Sequence, residues 1–359
     1  MRDEAIRLER ETHREPEAGK AHPRYSRQVL FSGIGNEGQV RIAGSRVVLV
    51  GCGALGTAQA SMLVRAGVGT LRIIDRDFVE ESNLQRQILF DEEDMRAVLP
   101  KAIAAERKLR PVNSLVNVEG VVDDVNASSI DRLLGGFDLI VDASDNFDVR
   151  FLVNDFSVKN RIPWIYGACV GANGLTFPVL PGEGPCLRCV FEDRPPAGVS
   201  PSCDTAGVIG PIVLLVASMQ VAEALKILAG AREAVCRKIT SIDLWENRLE
   251  SVNLPPRNPN CPCCARQEYP FLDGLVGADA TALCGRNSVQ IRRPEGARID
   301  LDSLARRLGP LAHLEQNRFL LRAVIDGYKL TVFPDGRAIV NGTYDLAIAK
   351  SLYARYIGS

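Results

Sequence analysis

The sequence predicts an α/β protein with a Rossmann-like, doubly wound, mostly parallel sheet, an antiparallel extension of that sheet, and a small α+β C-terminal domain. Strands and helices alternate through the first half of the chain, and a glycine-rich turn joins the first strand to a helix. Two stretches of alternating apolar residues follow, and a separate set of short strands and helices occupies the last 75 residues. Such alternation is typical of parallel sheets covered by helices.

The parallel part is predicted from short apolar runs separated by helical patterns. Arg46–Gly51 (RVVLVG) and Gly69–Asp75 (GTLRIID) are predicted strands, and the segment between them has helical spacing, so the three make a βαβ unit. Further strands are predicted in LVNVEGVVDDV and FDLIVDAS, and helices in KAIAAERKLRPVN and SSIDRLLGG. We therefore expect four parallel strands in this part of the sheet.

The antiparallel extension is predicted after Ile162, in PWIYGACVGANGLTFPVL and KITSIDLWENRLESVNL. Between them, Val208–Leu228 is the most apolar stretch of the chain. A proline and several charged or polar residues interrupt it, so we expect a buried core helix rather than a membrane span.

The end of the chain shows a different pattern, β-α-β-β-β-α, with hairpin turns predicted at Asp326-Gly327 and Asp335-Gly336. A stretch rich in proline, glycine and asparagine precedes it and is interpreted as the end of the main domain plus a linker. The expected segments are a charged N-terminal arm (1–23), a large α/β domain (24–272), a linker (273–284) and a small α+β domain of unknown role (285–359).

Composition and charge limit the classes of partner. The chain has 43 Lys and Arg against 44 Asp and Glu, a net charge of −1, which argues against a nucleic-acid-coating surface or an anionic membrane partner. About half of the first twenty residues are charged, and they lack the apolar stretch of a secretory signal. Ten cysteines in such a chain favour metal binding or thiol chemistry in a reducing compartment, so we expect a cytoplasmic protein.

The glycine-rich turn predicts a nucleotide site. Gly51, Gly53 and Gly56 form G-x-G-x-x-G between a strand and a helix. Asp75 closes the next strand about 20 residues later, where an acid binds a ribose hydroxyl. These features alone also fit a nicotinamide dehydrogenase or a tight turn without a ligand.

The residues after the second strand favour a triphosphate over a dinucleotide. Asn83 and Arg86 lie in ESNLQRQILF, and Lys101 lies near the start of the next predicted helix. A triphosphate carries more charge than a glycine turn neutralises, and Arg and Lys supply the extra cations. Asp142 and Asp145 end a strand at the carboxyl edge of the sheet, where one carboxylate is enough to hold Mg²⁺ beside phosphates.

Six motifs in this order resemble one known family. RYSRQ, GCGALG, IDRDFVEESNLQRQILF, PK, DASDN and the paired cysteines, between Arg24 and Cys264, look like the MoeB/ThiF adenylyltransferases that activate ubiquitin-like sulfur carriers and are related to ubiquitin-activating enzymes. The resemblance implies attack on the α-phosphate of ATP by the C-terminal glycine carboxylate of a carrier ending in Gly-Gly. Pyrophosphate leaves, and the acyl-adenylate is prepared for thiocarboxylate formation.

The resemblance also implies site residues within an ATP-binding domain at 24–272. The nucleotide would be bound by Gly51, Gly53, Gly56, Asp75, Asn83, Arg86 and Lys101, with Mg²⁺ on Asp145. Arg27, in RYSRQ, would reach the γ-phosphate in the partner subunit's site, which implies a homodimer. The catalytic set is then Arg27, Arg86, Lys101, Asp145 and Cys203.

The cysteines predict a structural zinc site. Cys186 and Cys189 form one C-x-x-C pair, and Cys261 and Cys264 form another about 70 residues later. Two pairs bordered by proline and glycine favour zinc over a redox pair or core cysteines. Cys263 is an alternative ligand to Cys264 from the CPCC stretch alone, whereas the family's spacing favours Cys264.

Cys203 has a different setting, because it has no C-x-x-C partner and lies in the Pro/Gly/Ser-rich stretch AGVSPSCDTAG. A loop thiol near a helix N-terminus has a lowered pKa, although Asp204 opposes this. The family has a cysteine at the matching place that takes part in sulfur transfer or a thioester-like linkage. We expect a chemical role for Cys203, with an incidental loop cysteine as the alternative.

Three other functions fit parts of the sequence. A nicotinamide dehydrogenase leaves NLQRQ and the cysteine pairs without a role. A catalytically silent adaptor that docks a ubiquitin-like protein, and an adenylating relative that acts on tRNA or a peptide, share the same ATP site. The carrier, its pathway and the persulfide donor, such as a cysteine desulfurase, are left open by the sequence.

Overall fold

The computed structural model describes residues 19–193, 206–276, 280–283, 287–291 and 299–358. The chain forms two compact units, one from Met1–Asp193 and Ile209–Leu272, the other from Arg194–Val208 and Asp273–Ser359. These units are defined by compactness alone. The assignment of a charged arm, a linker and their bounds stays a prediction.

The first unit contains an eight-stranded sheet. Its strands are β1 Arg46–Val50, β2 Thr70–Ile74, β3 Asn117–Val121, β4 Leu139–Asp142, β5 Trp164–Val170, β6 Asn173–Val179, β7 Lys238–Asp243 and β8 Arg248–Asn253. They lie in the order β3-β2-β1-β4-β5-β6-β7-β8. The strands from β3 to β5 are parallel, and those from β5 to β8 pair antiparallel. The mostly parallel sheet with an antiparallel extension is as predicted.

Helices join these strands. Those in the described part of the first unit are α1 Ser26–Val29, α2 Gly35–Gly44, α3 Ala54–Ala66, α4 Glu92–Arg96, α5 Lys101–Leu109, α6 Ile130–Leu134, α7 Phe147–Asn160, α8 Leu187–Val190 and α9 Gly210–Ala229, with short 3₁₀ turns at Pro23–Tyr25, Glu81–Asn83 and Arg232–Ala234. The first βαβ unit packs an apolar core in which Leu49, Leu63 and Ile73 are fully buried. Burial of such side chains is the main source of stability.

Among the residues that the structure describes, α9 is the one helix long and apolar enough to cross a membrane. Over its most apolar window, the mean hydropathy is 1.9 and 56% of the residues are buried. It packs against α3, β5 and β6. This packing agrees with the core helix predicted for Val208–Leu228.

The strand order creates a crevice beside β1. The order runs β1-β2-β3 in one direction and β4-β5 in the other, so a topological switch point lies between β1 and β4. Val50 pairs with Ile74 on one side and with Asp142 on the other. The loops that follow β1, β2 and β4 therefore meet at one edge of the sheet, where open α/β sheets bind ligands.

The second unit contains a six-stranded antiparallel sheet and two helices among its described residues. Its elements are β9 Ala280–Leu283, β10 Ser288–Ile291, α10 Leu301–Leu308, β11 His313–Gln316, β12 Leu321–Ile325, β13 Tyr328–Val332, β14 Ala338–Asn341 and α11 Leu346–Tyr356. The strand order is β11-β12-β13-β14-β10-β9. Asp326 and Gly327 have φ of 52° and 80°, as a tight two-residue hairpin requires. The predicted pattern missed β9 and β11.

Candidate active site and cysteine cluster

The three glycines of the turn after β1 meet different constraints. Gly51 has φ of 97°, and a Cβ there would lie 2.6 Å from the carbonyl oxygen of Ala143. A Cβ on Gly56 would overlap the carbonyl oxygen of Gly51. A Cβ on Gly53 would meet only the Nε2 of Gln87 within 4 Å, at 3.9 Å. Packing therefore requires the first and third glycines, whereas the middle one leaves the backbone open to the approach of a phosphate.

Asp75 connects the end of β2 to the glycine turn. Its Oδ2 accepts the N–H of Cys52 at 2.6 Å, and its Oδ1 accepts the N–H of Asp77 at 2.7 Å. Burial raises the pKa of Asp75, and the neighbouring Lys101 partly opposes that rise. The predicted ribose-binding carboxylate thus lies directly beside the glycine turn.

Lys101, at the start of α5, is brought to the same place. It is 3% exposed, and its Nζ lies 3.5 Å from Asp77 Oδ2. Its backbone N–H donates to the carbonyl of Asp77 at 2.9 Å, which fixes the start of the helix. A buried ammonium group next to two carboxylates also supplies the type of cation that phosphate oxygens attract.

Asn83 and Arg86 lie on the turn after β2. Asn83 is 2% exposed, and its Oδ1 accepts the N–H of Glu80 at 3.2 Å, so it closes the 3₁₀ turn. Arg86 is partly exposed, and its Nη1 donates to the carbonyl of Ser82 at 2.7 Å. Asn83 therefore has a structural role in addition to the predicted one, and Arg86 is held on its own turn.

Asp145 lies on the loop between β4 and α7. It is exposed, and its charge contributes to the raised pKa values of Arg76 and Arg150. The next residue, Asn146, caps α7 by accepting the N–H of Asp148 at 2.8 Å. Asp145 is thus an exposed carboxylate at the switch-point edge of the sheet, on a loop whose next residue is fixed as the cap of α7.

The contacts among the described residues do not connect Arg27 or Cys203 with this edge. Arg27 is exposed on α1 and makes no hydrogen bond or ion pair there. Cys203 lies outside the described residues. Sequence reasoning also missed two arginines, Arg76 and Arg150, whose pKa values the charge of Asp145 helps to raise. For Arg150 the available signal was a charged residue within the apolar stretch FDVRFLV, because such a residue is buried only with partners.

The four predicted zinc ligands come together in the structure. The Sγ atoms of Cys186, Cys189, Cys261 and Cys264 all lie within 4.8 Å of one another. Cys186 is 3.6 Å from Cys261, and Cys189 is 3.5 Å from Cys264. Four thiolates about 2.3 Å from a tetrahedral zinc are separated by roughly 3.8 Å, so the donor set and its spacing fit this metal.

Cys263 lies beside this cluster but outside the group of four. It is fully buried, and its Sγ accepts a hydrogen bond from Asn154 Nδ2 at 3.3 Å. The Oδ1 of Asn154 accepts the N–H of Leu187 at 2.8 Å. One side chain of α7 therefore connects the two cysteine-containing turns, and Asp155 next to it accepts the N–H of Phe271 at 3.1 Å.

Comparison with known proteins assigns the chain to a family. The model of the ThiF family matches residues 25–263. The chain belongs to the ThiF family. The predicted family and fold class are thereby confirmed.

This ThiF-family protein is similar to curated enzymes over most of its length. The sulfur carrier protein ThiS adenylyltransferase of Bacillus subtilis is 49% identical over 338 residues, which are 93% of this chain and 99% of the relative. The sulfur carrier protein adenylyltransferase of Thermus thermophilus is 40% identical over 267 residues, 73% of this chain and 96% of the relative. These similarities confirm the predicted enzyme class, an adenylyltransferase. At 93% coverage, the similarity to the Bacillus protein extends into the second unit.

Solved structures share the fold. The crystal structure of E. coli MccB has a TM-score of 0.60 and 25% identity, and the match covers 67% of this ThiF-family chain and 72% of MccB. A structure of E. coli MccB with ATP has the same TM-score at 23% identity, with 73% and 80% covered.

Proposed function

We propose that this protein uses ATP to adenylylate the C-terminal glycine carboxylate of a ubiquitin-like sulfur carrier ending in Gly-Gly, with release of pyrophosphate. One observation carries the proposal. The glycine turn, Asp75, Lys101 and the Asp145 loop meet at the switch-point edge of the sheet. They do so in a chain 49% identical to a carrier adenylyltransferase that acts on ThiS. A ThiS-like protein is therefore the first carrier to test.

The residues at this edge fit ATP. The open backbone at Gly53 suits close approach of a phosphate, and Asp75 suits the ribose hydroxyls. Lys101 and Arg86 would neutralise phosphate charge, with Asn83 as a neutral donor. Asp145 would hold Mg²⁺, which needs only one or two carboxylates in addition to phosphate oxygens and water. When bound, the ion supplies charge neutralisation for the leaving pyrophosphate.

The chemistry asks for positioning and charge stabilisation and needs no general base. A C-terminal carboxylate is already ionised near neutral pH, so no proton has to be removed from the nucleophile. It is a weak nucleophile that must approach a polyanion, so both partners have to be held in line. Lys101 and Arg86 would stabilise the charge that develops on the phosphates as the bond to pyrophosphate breaks.

Zinc on the four cysteines would be structural. All four ligand positions are thiols, so the donor set is closed and leaves no place for a substrate. The site would join α8 to the segment after β8, two parts of the chain about 70 residues apart, and metal binding there contributes to folding stability.

The remaining parts of the proposal concern partners. A homodimer would allow Arg27, exposed on α1, to reach the ATP of the partner subunit. A persulfide donor, such as a cysteine desulfurase, would supply sulfur after adenylation. Cys203 would attack the acyl carbon of the adenylate, forming a thioester and releasing AMP, because its thiolate is a far better nucleophile than a hydroxyl. In the alternative, Cys203 would take over sulfur from the persulfide donor as a persulfide of its own and pass it to the carrier. A reducing, cytoplasmic location suits the thiols.

Mass spectrometry tests the central step. The protein is incubated with ATP-Mg²⁺ and each candidate Gly-Gly-ended carrier, and the carrier is weighed intact. We expect an AMP increment on one carrier and none on the same carrier lacking its terminal glycine. A carrier that binds without an increment and without pyrophosphate exchange would indicate a silent adaptor instead.

The same assay separates activation from transfer. With Cys203→Ser, we expect pyrophosphate exchange to persist and thiocarboxylate formation from a persulfide donor to fall. Equal loss of both would mean that Cys203 shapes the adenylation site. Retention of both would mean that sulfur reaches the adenylate without it.

A further inference from the structure

Arg150 is buried near the beginning of α7 and makes three hydrogen bonds. It is 5% exposed. Its Nε donates to Asp142 Oδ2 at 2.9 Å, and its Nη2 donates to the carbonyls of Ser144 at 2.6 Å and Gly167 at 2.8 Å. A buried guanidinium is stable only when its charge and donors are satisfied in this way. The Asp142 carboxylate is among the causes that raise the pKa of Arg150 despite its burial, so the group stays charged.

Two of these three acceptors, Asp142 and Ser144, lie at the start of the loop that carries Asp145 or directly before it. Asp142 ends β4, and Ser144 immediately precedes Asp145. The Ser144 hydroxyl donates to Asp142 Oδ1 at 2.6 Å, and its N–H donates to the same oxygen at 2.9 Å. Both carboxylate oxygens of Asp142 are therefore engaged. The backbone is held up to the residue next to Asp145, while Asp145 itself is exposed.

The end of β4 is also held through the backbone carbonyl of Asp142. The carbonyl of Asp142 accepts from Gln59 Nε2 at 3.2 Å and from Gln220 Nε2 at 2.9 Å. Gln59 belongs to α3, which follows the glycine turn, and Gln220 belongs to α9. A Cβ on Gly167 would overlap the Gln220 side chain, so this glycine allows the close approach.

We propose that Arg150 is a positioning residue for adenylation. It acts through Asp142 and Ser144 and fixes the loop so that Asp145 is held ready for the metal-nucleotide complex. This inference rests on the proposed function. Its physical reason is that groups supporting a metal ligand determine its orientation, and their loss typically weakens metal binding by about 10- to 100-fold.

Arg150→Lys tests this role because it keeps the charge and loses the planar fork that reaches three acceptors. We expect the Mg²⁺ concentration for half-maximal pyrophosphate exchange to rise about tenfold, with part of the rate restored at high Mg²⁺. Asp145→Asn should shift the same curve and serves as the positive control.

Arg72→Lys is the matched negative control. Arg72 also spans strands of the sheet, donating to Glu119 Oε2 at 2.9 Å and to the carbonyl of Leu133 at 3.0 Å, and it makes no contact with the Asp145 loop. We expect its Mg²⁺ dependence to match that of the wild type. If Arg150→Lys behaves like Arg72→Lys, or loses a rate that Mg²⁺ cannot restore, the inference is wrong.

Two further measurements keep the test decisive. If thermal melting shows that Arg150→Lys is not folded, the double variant Arg150→Gln with Asp142→Asn takes its place. It removes both buried charges together and should show the same Mg²⁺ shift.

The second measurement is binding of Mn²⁺ with a non-hydrolysable ATP analogue, followed by electron paramagnetic resonance, which needs no carrier. A wild type that binds this complex without adenylylating any carrier refutes the proposed function only. Equal binding by Arg150→Lys and the wild type refutes the role of Arg150 only. A wild type that does not bind the complex refutes both.

Discussion

Lys101 combines burial with two neighbouring carboxylates. It lies 3.5 Å from Asp77 and lowers the pKa of Asp75, which burial otherwise raises. Removing the ammonium group should therefore have two effects, a loss of the proposed phosphate neutralisation and a further rise in the pKa of Asp75. In the proposed ATP site, only the ionised Asp75 would accept hydrogen bonds from both ribose hydroxyls.

Lys101→Ala should reduce carrier-dependent pyrophosphate exchange at least about a hundredfold. As the pH is lowered, the ATP affinity of Lys101→Ala should decrease at a higher pH than that of the wild type. The reason is that Asp75 without the neighbouring cation is protonated at a higher pH. Calorimetry of ATP-Mg²⁺ binding across about pH 5 to 8 measures this shift.

Lys108→Ala is the control for this substitution. Lys108 lies on the same helix, and its Nζ is 3.0 Å from Asp94 Oδ2 and also pairs with Asp91. Lys108→Ala should leave pyrophosphate exchange and the pH dependence of ATP affinity unchanged. If the decrease in ATP affinity at low pH is the same in Lys101→Ala and the wild type, Lys101 does not influence the ionisation of Asp75.

The cysteine register is a second question at the scale of single residues. Cys264 belongs to the group of four thiols, whereas Cys263 is bound by Asn154. Cys264→Ser should therefore lose zinc and stability, and Cys263→Ser should retain about one zinc per chain. Metal analysis with thermal melting of both variants decides the register, and zinc loss from Cys263→Ser alone would reverse it.

At the scale of elements, α7 joins two sites. Arg150, near its beginning, holds the Asp142 end of β4, and Asn154, one turn later, holds both cysteine-containing turns. Residues four apart lie on the same face of a helix, so one face serves both contacts. The helix thereby links the carboxyl edge of the sheet to the cysteine cluster.

Asn154→Ala should accelerate zinc release to a chelator by about tenfold or more, because the two turns lose the side chain that connects them. Asn113→Ala is the matched control. Asn113 is also fully buried and bonds Tyr25 and the carbonyl of Val64 through its Nδ2, away from the cysteines. Equal release rates in the two variants would show that burial of an amide, rather than its position at the cluster, determines the effect.

At the scale of the whole molecule, the proposed dimer places Arg27 and Lys101 of one active site on different chains. Arg27→Ala and Lys101→Ala should each be inactive alone. After mixing and subunit exchange, half of the dimers are mixed and contain one intact site each. Activity should then recover to about a quarter of the wild-type value, as two-fold symmetry requires.

Pyrophosphate exchange of the mixture against each variant alone measures this recovery. The control is the doubly substituted chain mixed equally with wild type. Its mixed dimers contain no intact site, so exchange should lower the activity from about a half to about a quarter of the wild-type value instead of raising it. An absence of recovery after demonstrated subunit exchange would place Arg27 in the active site of its own chain or outside it.

Features that depend on short spacing could be predicted from the amino-acid sequence alone. The βαβ unit, the glycine turn with Asp75, the two C-x-x-C pairs and the Asp326-Gly327 hairpin turn each lie within a few tens of residues, and local conformation is enough to specify them. The order of motifs along the chain also identified the family. The strands β9 and β11 were missed because segments of only four residues carry little periodic signal.

Contacts between side chains that are distant in the sequence became evident from the folded structure. Nothing in the spacing of Arg150, Gly167 and Gln220 relates them to the end of β4, and the CPCC stretch alone left Cys263 and Cys264 open. These pairings arise because sheet order brings separate loops to one edge and because a buried polar group must find its partner wherever packing provides one. Sequence periodicity indicates which residues are buried, whereas contacts between distant segments determine what the buried polar groups bind.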